Sequence, residues 1–401
     1  MKLLLLFLAL PIIGFGQNVN IPDANFKAYL VDNTDINTNG DNQIQVSEAS
    51  AFNGEIYCSS LNISNLTGIE AFTALTYLDC QYNQLTSLDV SACTALNTLN
   101  CYGNNLTSLD VSGCTALTDL SCAGNNQLTS LDVSACTALT YLGCDGNQLT
   151  SLDVSGCAAL TDLSCAGNNL TSLDVSACTA LNTLFCGGNN LTSLDVSGCT
   201  ALTYLGCLSN QLTSLDVSAF TALTYLYCGG NNLTSLDVSG CTALTYLECA
   251  GNNLTSLDVS AFTALTYLYC EYNQLTSLDV SACTALTYLE CYGNQLTSLD
   301  VRNGNNINMF YFFAYNNPNL SCIEVDDATW STANWIGNNF VFDSQHYFSN
   351  NCSGTTSIQE LNTNKKLLKV TDLLGRETKA TNQVLIHIYD DGTIEKKIVF
   401  E

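Results

Sequence analysis

Apolar and polar positions repeat along most of the chain with a period of 21 residues. The unit that begins at Leu75 reads LTYLDCQYNQLTSLDVSACTA, and near-perfect copies follow one another to residue 301. In each unit, the apolar residues equivalent to Leu78 and Cys80 alternate with outward-facing positions, which is typical of a short strand with one buried face. A unit of this length cannot bury its apolar face alone and must stack on its neighbours. The pattern therefore predicts a solenoid in which each unit adds one parallel strand to a common core.

Two polar columns recur in the units, and each has a predicted structural role. The Asn column runs from Asn83 to Asn294 and lies where the chain leaves the strand, so its amides are expected to satisfy buried backbone groups. The Asp column runs from Asp89 to Asp300 and is expected to accept hydrogen bonds from the N–H groups of the following turn. A ladder of calcium ligands is the alternative interpretation of these carboxylates.

The cysteines follow the same period. Of the 22 cysteines, 20 fall in two columns, one on the strand and one in the turn, and Phe72, Phe220 and Phe262 replace Cys in the turn column. Neighbouring parallel strands lie about 4.8 Å apart, whereas the Cβ atoms of a disulfide lie about 3.8 Å apart. We therefore expect stacked free thiols that pack as small apolar side chains.

The charge balance restricts the class of partner. The chain has 36 acidic and 10 basic side chains, a net charge of −26, and no Lys or Arg between Lys27 and Arg302. Such a surface cannot neutralise phosphates, which argues against nucleic acid and anionic membranes as partners. Cationic ligands, calcium and uncharged glycans stay open. After the N-terminal segment, no stretch has the ~20 apolar residues of a transmembrane helix.

Catalytic side chains are scarce in the repeats. The only histidines, His346 and His387, lie C-terminal to them. Two facing carboxylates can act as in glycosidases, and Glu248, Glu271 and Glu290 are the nearest candidates for such a pair. The composition predicts a protein that is not an enzyme.

The N-terminal 54 residues contain two predicted elements. Residues 1–16 have the basic start, leucine-rich core and small residues before the cut that are typical of a cleaved signal peptide. Residues 17–54 are expected to form a helical cap, and its loop resembles an EF-hand loop, in which oxygen atoms at fixed positions bind calcium. The ligand positions are Asn37, Asn39, Asp41, Gln43 (through its backbone carbonyl) and Glu48. With two carboxylates, the loop is either a weak site for one calcium ion or a purely structural cap, and no cofactor is required.

The repeat pattern degrades after Arg302. Residues 302–352 are predicted to form a degenerate repeat and a C-terminal cap, and residues 353–364 form a polar linker. Cys322 and Cys352 stand outside both cysteine columns. In an exported protein such a pair is expected to form a disulfide.

The repeats resemble those of a known family. The 21-residue unit with Cys in the strand is similar to the cysteine-ladder leucine-rich repeats of internalin J and of secreted flavobacterial proteins, over residues 55–301. The resemblance implies an α/β repeat solenoid with a curved parallel sheet on its concave face, the helical cap at one end and a small β-rich C-terminal domain. It also implies adhesion or ligand binding outside the cell.

The last segment, residues 365–401, carries 7 of the 10 basic residues. Its alternating apolar residues and the Asp391-Gly392 turn predict a small antiparallel β unit. The segments Lys365 to Glu377 and Val384 to Glu401 resemble the C-terminal sorting domain of type IX secretion cargo. That resemblance implies transfer across the outer membrane by the type IX machinery, followed by release or attachment at the cell surface.

The candidate ligand surface is the aromatic and acidic half of the strand face. Rigid Tyr side chains offer a large contact area at small entropic cost, so we expect a secreted or surface protein that binds an extracellular protein or glycan there. Packing between neighbouring strands is the alternative role of these rings, and a passive surface-coat protein without a specific ligand is the alternative function. The candidate residues are Tyr204, Tyr225, Tyr227, Tyr246, Glu248, Tyr267, Tyr269, Tyr288 and Glu290.

Overall fold

The computed structural model divides the chain into two units, Met1–Asn350 and Asn351–Glu401. The predicted signal peptide, apart from Gly16, lies outside the described residues, as do the predicted linker and the Asp391-Gly392 turn. The residues that the structure describes are 16–352, 367–371, 383–389 and 394–399.

The larger unit is a solenoid built on a sheet of 14 parallel strands. In its three-residue strands the central side chain is buried and the flanking side chains point to the opposite face, which we call the sheet face. Consecutive strands pair without a shift in register, so equivalent residues of successive units are adjacent. The strands are Glu55–Tyr57, Tyr77–Asp79, Thr98–Asn100, Asp119–Ser121, Tyr141–Gly143, Asp162–Ser164, Thr183–Phe185, Tyr204–Gly206, Tyr225–Tyr227, Tyr246–Glu248, Tyr267–Tyr269, Tyr288–Glu290, Tyr311–Phe313 and Phe340–Val341.

The sheet continues beyond residue 301, where the sequence pattern placed the end of the regular repeats. Tyr311–Phe313 pairs with Tyr288–Glu290, and Phe340–Val341 pairs with Tyr311–Phe313. Phe312 is fully buried in the place that Leu occupies in the preceding strands. The C-terminal cap therefore adds two strands to the same sheet, although its turns no longer have the 21-residue length.

The opposite side of each coil consists of turns and short strands. The Asp column lies here, and its carboxylates accept hydrogen bonds from the residue two positions later, as in Ser197 N–H to Asp195 (2.9 Å). Within the described residues 55–301 there is no α-helix, so the helical part of the predicted α/β class is confined to the ends. The strands on this side are Ser87–Asp89, Ser108–Asp110, Ser277–Asp279, Ser298–Asp300, Cys322–Glu324 and Tyr347–Ser349.

Helices lie at both ends of the solenoid. The first, Ala24–Asp32, begins at Asp23, whose carboxylate accepts the N–H groups of Asn25 and Phe26 at 3.0 Å each. A second helix covers Val46–Ala51 and a third covers Ala328–Asn334, and short 3-10 turns cover Ile69–Ala71 and Asn306–Asn308.

The segment directly after the predicted signal peptide belongs to the N-terminal cap. The N–H of Val46 donates to the carbonyl of Gln17, and the N–H of Val19 donates to the carbonyl of Ile44, both at 2.8 Å. The chain is therefore hydrogen-bonded into the cap from the first residue after the predicted cut.

The smaller unit contains a three-stranded antiparallel sheet with Gln383–Tyr389 in the middle. Its outer strands are Leu367–Thr371 and Ile394–Val399. None of the helices in the described part of the whole chain has the length and apolar character needed to span a bilayer.

The thiol ladder predicted for the repeats is confirmed. Twenty cysteines are free and buried, and burial raises the pKa of Cys122, for example, to about 12. Phe220 and Phe262 are buried where they replace Cys, as expected for an apolar packing position. Cys322 and Cys352, the two cysteines outside the ladders, are disulfide-bonded.

The Asn column satisfies buried backbone groups, as the sequence predicts. The Nδ2 group of Asn189 donates to the carbonyls of Cys165 and Cys186, and its Oδ1 accepts the N–H of Leu170, all at 3.0 Å. The equivalent side chains repeat these bonds and are buried. Each amide thus joins its own coil to the preceding one.

One step of this ladder is interrupted. The unit that contains Asn126 has an extra residue, and Oδ1 of the next member, Asn147, is buried without a hydrogen-bond partner. Elsewhere in the column this oxygen accepts an N–H from the preceding coil, as Asn168 does from Leu149 (3.0 Å).

We predict that Asn189→Ala lowers the free energy of unfolding by about 1–3 kcal/mol, since it leaves the N–H of Leu170 buried and unpaired. The carbonyls of Cys165 and Cys186 each lose one of two amide donors and keep the other. The matched control is Asn190→Ala, because Asn190 is exposed and next in sequence. Urea denaturation followed by circular dichroism measures both variants. Equal stability of the two would show that the column does not hold the coils together.

Candidate functional site

The sheet face brings all nine candidate ligand residues onto one surface. The five tyrosines that begin the strands from Tyr204 to Tyr288 pair in register, strand after strand. At the ends of the same strands, Tyr227, Glu248, Tyr269 and Glu290 form a second, alternating row. Rings and carboxylates therefore lie side by side at successive steps of about 4.8 Å.

The rings pack against one another. Tyr246 is the most enclosed, with ring centroids 4.5 Å from Tyr227, 5.4 Å from Tyr267 and 5.5 Å from Tyr269. Tyr225 is freer and keeps 40% of its surface exposed. Stacked and tilted pairs of this kind stabilise neighbouring strands by about 0.5–1.5 kcal/mol each, so the inner rings have a structural role whatever they bind.

Two aromatic residues of this surface were missed in the sequence. Phe185 lies 4.4 Å from Tyr204, and Tyr311 lies 5.3 Å from Tyr288, between ring centroids. Phe185 occupies the strand-end position and could have been found there, whereas Tyr311 follows a longer turn that hides the period. We call the combined set the aromatic stripe: Phe185, Tyr204, Tyr225, Tyr227, Tyr246, Tyr267, Tyr269, Tyr288 and Tyr311.

Three carboxylates lie beside the aromatic stripe. Glu248 accepts the N–H of Gly229 (3.3 Å), and a Cβ at residue 229 would lie 2.0 Å from its Oε1, so glycine is required to seat this carboxylate. Burial raises the pKa of Glu248 and of Glu290. Glu271 follows the strand that lies between them.

Glu271 has the least favourable environment of the three. Its Oε2 is buried without a hydrogen-bond partner. Burial, with smaller contributions from the charges of Glu290 and Glu248, raises the pKa of Glu271 to about 7. This carboxyl is therefore partly protonated at neutral pH, and a nearby positive charge would ionise it.

Among residues 28–301, the sheet face holds carboxyl and phenol groups but no imidazole, amine or guanidinium. The histidine with a described side chain, His346, is in the C-terminal cap, where Nδ1 lies 2.6 Å from the carbonyl of Asp343. Residues 28–301 contain no His, Lys or Arg. The groups that this face offers for contact or proton transfer are therefore carboxyls and phenols.

The EF-hand-like loop is closed by its own hydrogen bonds. Oε1 of Glu48 accepts the N–H (2.9 Å) and hydroxyl (2.9 Å) of Thr38 and the N–H of Asn39 (3.2 Å). Its Oε2 accepts the N–H of Gln45 (3.0 Å), so both oxygens of the expected bidentate ligand are engaged. Glu48 thus caps the second helix from within the loop.

The three other side chains among the expected ligands are engaged in the same way. Oδ1 of Asn37 accepts the N–H of Gly40 (3.1 Å), Asp41 Oδ1 accepts the N–H of Gln43 (2.7 Å), and Asn39 Oδ1 accepts the N–H of Asp41 (2.8 Å). In the described part of the chain, no group of three His, Cys, Asp or Glu side chains could hold a metal ion. These residues suit a structural cap, and a cation would have to compete with its hydrogen bonds.

Two protein-family models match three stretches of the chain. Residues 41–164 match the LRR domain of the endo-beta-N-acetylglucosaminidase EndoS, and residues 221–261 and 263–307 match leucine-rich repeats. Among curated proteins there is no match in sequence.

Solved structures share the fold. The functional domain of InlJ from Listeria monocytogenes, which includes a cysteine ladder, is 29% identical with a TM-score of 0.69, covering 96% of this chain and 99% of that chain. A leucine-rich-repeat protein from Leptospira interrogans is 22% identical with a TM-score of 0.56, covering 65% and 75%. An internalin from Listeria monocytogenes, inlF, is 21% identical with a TM-score of 0.54, covering 79% and 99%. The last two likenesses concern the fold alone.

For the EF-hand-like loop we predict at most one calcium ion, bound with a dissociation constant of about 10⁻⁴–10⁻³ M, the range of weak extracellular sites. Glu48→Gln should abolish the heat of calcium binding in calorimetry, because it removes a charge and keeps an acceptor for the cap. Absence of both heat and a melting shift for the unmodified chain at about 10 mM calcium, roughly tenfold above that range, would leave a purely structural loop.

Proposed function

Because the chain is a leucine-rich-repeat protein with a cysteine ladder similar to that of InlJ, we propose that it is a non-catalytic binding protein that holds an extracellular protein or glycan on its sheet face. The observation that carries the proposal is the aromatic stripe. Aromatic rings on successive strands provide a continuous amphipathic surface, and Tyr is enriched where binding energy concentrates. A passive coat protein would need no such concentration of rings in one half of the array.

We further propose that the chain is exported and acts outside the cell, either released or attached to the surface. The signal-peptide features of residues 1–16, the disulfide-bonded Cys322 and Cys352, and the resemblance of the C-terminal segment to type IX sorting domains support this proposal. The antiparallel sheet of the smaller unit is compatible with a sorting domain.

The binding proposal predicts that Tyr225→Ala weakens ligand binding by at least about 2 kcal/mol, or roughly 30-fold, while melting changes little. Tyr225 is the appropriate position because it is 40% exposed, whereas the enclosed Tyr246 would also lose packing. The ligand is first identified as a saturable signal on an array of glycans and extracellular proteins.

The matched control is Tyr141→Ala. Tyr141 starts its strand as Tyr225 does and is also 40% exposed, but its strand neighbours are Asp119 and Asp162. The affinity of the Tyr141→Ala variant for the ligand should lie within about threefold of that of the unmodified chain. Absence of any saturable ligand, or equal losses in both variants, would favour the passive coat.

The export proposal predicts that deletion of residues 383–401 traps the protein in the periplasm of a bacterium that has the type IX machinery, since two of the three strands of the smaller unit are removed. Protease accessibility on intact cells measures the effect. A deletion of the same length within the repeats would disrupt the solenoid and is unsuitable as a control. The two controls are the unmodified chain and the unmodified chain in a mutant host without the machinery. Normal surface display of the shortened chain would contradict the type IX assignment.

A further inference from the structure

We propose that the aromatic stripe, together with Glu248, Glu271 and Glu290, receives an extended Lys- or Arg-rich segment of a partner protein. This inference rests on the proposed binding function and adds to it the chemistry of the partner. We name these nine rings and three carboxylates the docking surface.

Charge complementarity is the first argument. No Lys or Arg lies between Lys27 and Arg302, so the repeats contain no basic side chain that could pair with the three carboxylates. Burying them beneath an uncharged partner would remove ionised groups from water without compensation, which is unfavourable. A basic segment supplies the missing positive charges.

The spacing of rings and carboxylates is the second argument. At the strand ends, Tyr227, Glu248, Tyr269 and Glu290 alternate on adjacent strands, so two carboxylates lie on either side of a ring. A guanidinium or ammonium placed there can lie over a ring and pair with a carboxylate at once. The five tyrosine-bearing strands span roughly 19 Å at about 4.8 Å per step, which six extended residues can cover.

The chain itself shows that paired strands can hold a guanidinium in this way. Arg302 pairs with Asp300 (2.5 Å) and with Glu324 (3.0 Å), two acidic residues that are direct partners on adjacent parallel strands. This internal pair lies on the other side of the coil. On the docking surface, Glu248 and Glu290 lie two strands apart with Glu271 after the strand between them, and the repeats lack the arginine.

Glu271 is the third argument. Its Oε2 is buried without a hydrogen-bond partner, a state that is rare in native proteins unless a proton or ion is present. The titratable groups that interact with Glu271 are all neutral or negative: Glu248, Glu290, Cys249, Cys270, Cys291, Tyr269 and Tyr292. Since the pKa of Glu271 is raised to about 7 mainly by burial, a bound cation favours the ionised form. Cation affinity should therefore rise with pH through 7.

The test uses the full chain and a fluorescein-labelled octapeptide of alternating Arg and Ser. Binding is followed by fluorescence anisotropy at 0.15 M salt, where the Debye length is about 8 Å. Affinity is expected to rise about tenfold between pH 6 and pH 8, because the ionised fraction of a carboxyl with a pKa of about 7 changes by that factor. An octapeptide with citrulline in place of Arg has the same shape without the charge and should bind at least tenfold more weakly.

Two double variants distinguish an effect of the docking surface on binding from an effect of the net charge of the chain. Glu248→Gln with Glu271→Gln is expected to weaken binding of the arginine peptide at least tenfold at pH 8 and to remove most of its pH dependence. Asp132→Asn with Asp153→Asn removes the same charge from the exposed Asp column and should weaken binding less than twofold. Melting curves verify that each variant is folded.

The outcomes are distinct. Equal losses in the two double variants, equal binding of the citrulline peptide, or affinity independent of pH would each overturn the inference. If the arginine peptide does not bind, but a glycan or neutral protein binds saturably and Tyr225→Ala weakens that binding, the proposed function stands and the partner chemistry is wrong. If no ligand of any class depends on Tyr225, the proposed function itself fails.

Discussion

The whole array depends on how the backbone is satisfied where each coil leaves the sheet. At that point two carbonyls and one N–H are buried, and water cannot reach them. An Asn amide has two N–H donors and one acceptor oxygen at the right reach, and Asn189 uses them on two successive coils at once. An Asp in this place could accept but not donate. The amide therefore fixes the identity of one residue per coil and also fixes the register between coils.

That register places identical side chains next to one another on successive coils. It therefore favours side chains that can lie beside a copy of themselves without repulsion. Buried thiols remain protonated because burial raises their pKa, and tyrosine rings stack. Asp195 can follow Asp174 because hydrogen bonds from Ser197 lower its pKa despite the neighbouring carboxylate. Glu271 has no comparable donor on Oε2, and burial together with the charges of Glu290 and Glu248 raises its pKa. The same geometry that makes the scaffold regular thus makes this position exceptional.

The coil period, the buried columns and the free thiols could be predicted because each repeats many times in the sequence. The fully buried Phe312 and the strand around it could not, since the turn before it differs in length from the repeat. The candidate ring positions followed from the strand alternation, but their packing did not, because the side-chain contacts of Tyr246 depend on sheet geometry. In the N-terminal loop the spacing of oxygen atoms was visible, whereas the use of both Glu48 oxygens as hydrogen-bond acceptors required coordinates.

The extra residue at Asn126 has a consequence for cooperativity. In a linear array, stability is the sum of what each coil contributes and what each interface between neighbouring coils contributes. The interface at Asn147 lacks one bond that the others have, while its extra residue Asn126 accepts a hydrogen bond from the Gln148 side chain (2.6 Å). The coupling between the two blocks that meet there therefore differs from the coupling between the other coils. The shorter block carries the helical cap and the longer block carries the aromatic stripe. Fraying that starts at the N-terminus meets a changed interface at this junction, so the block with the aromatic stripe is expected to open separately from the cap.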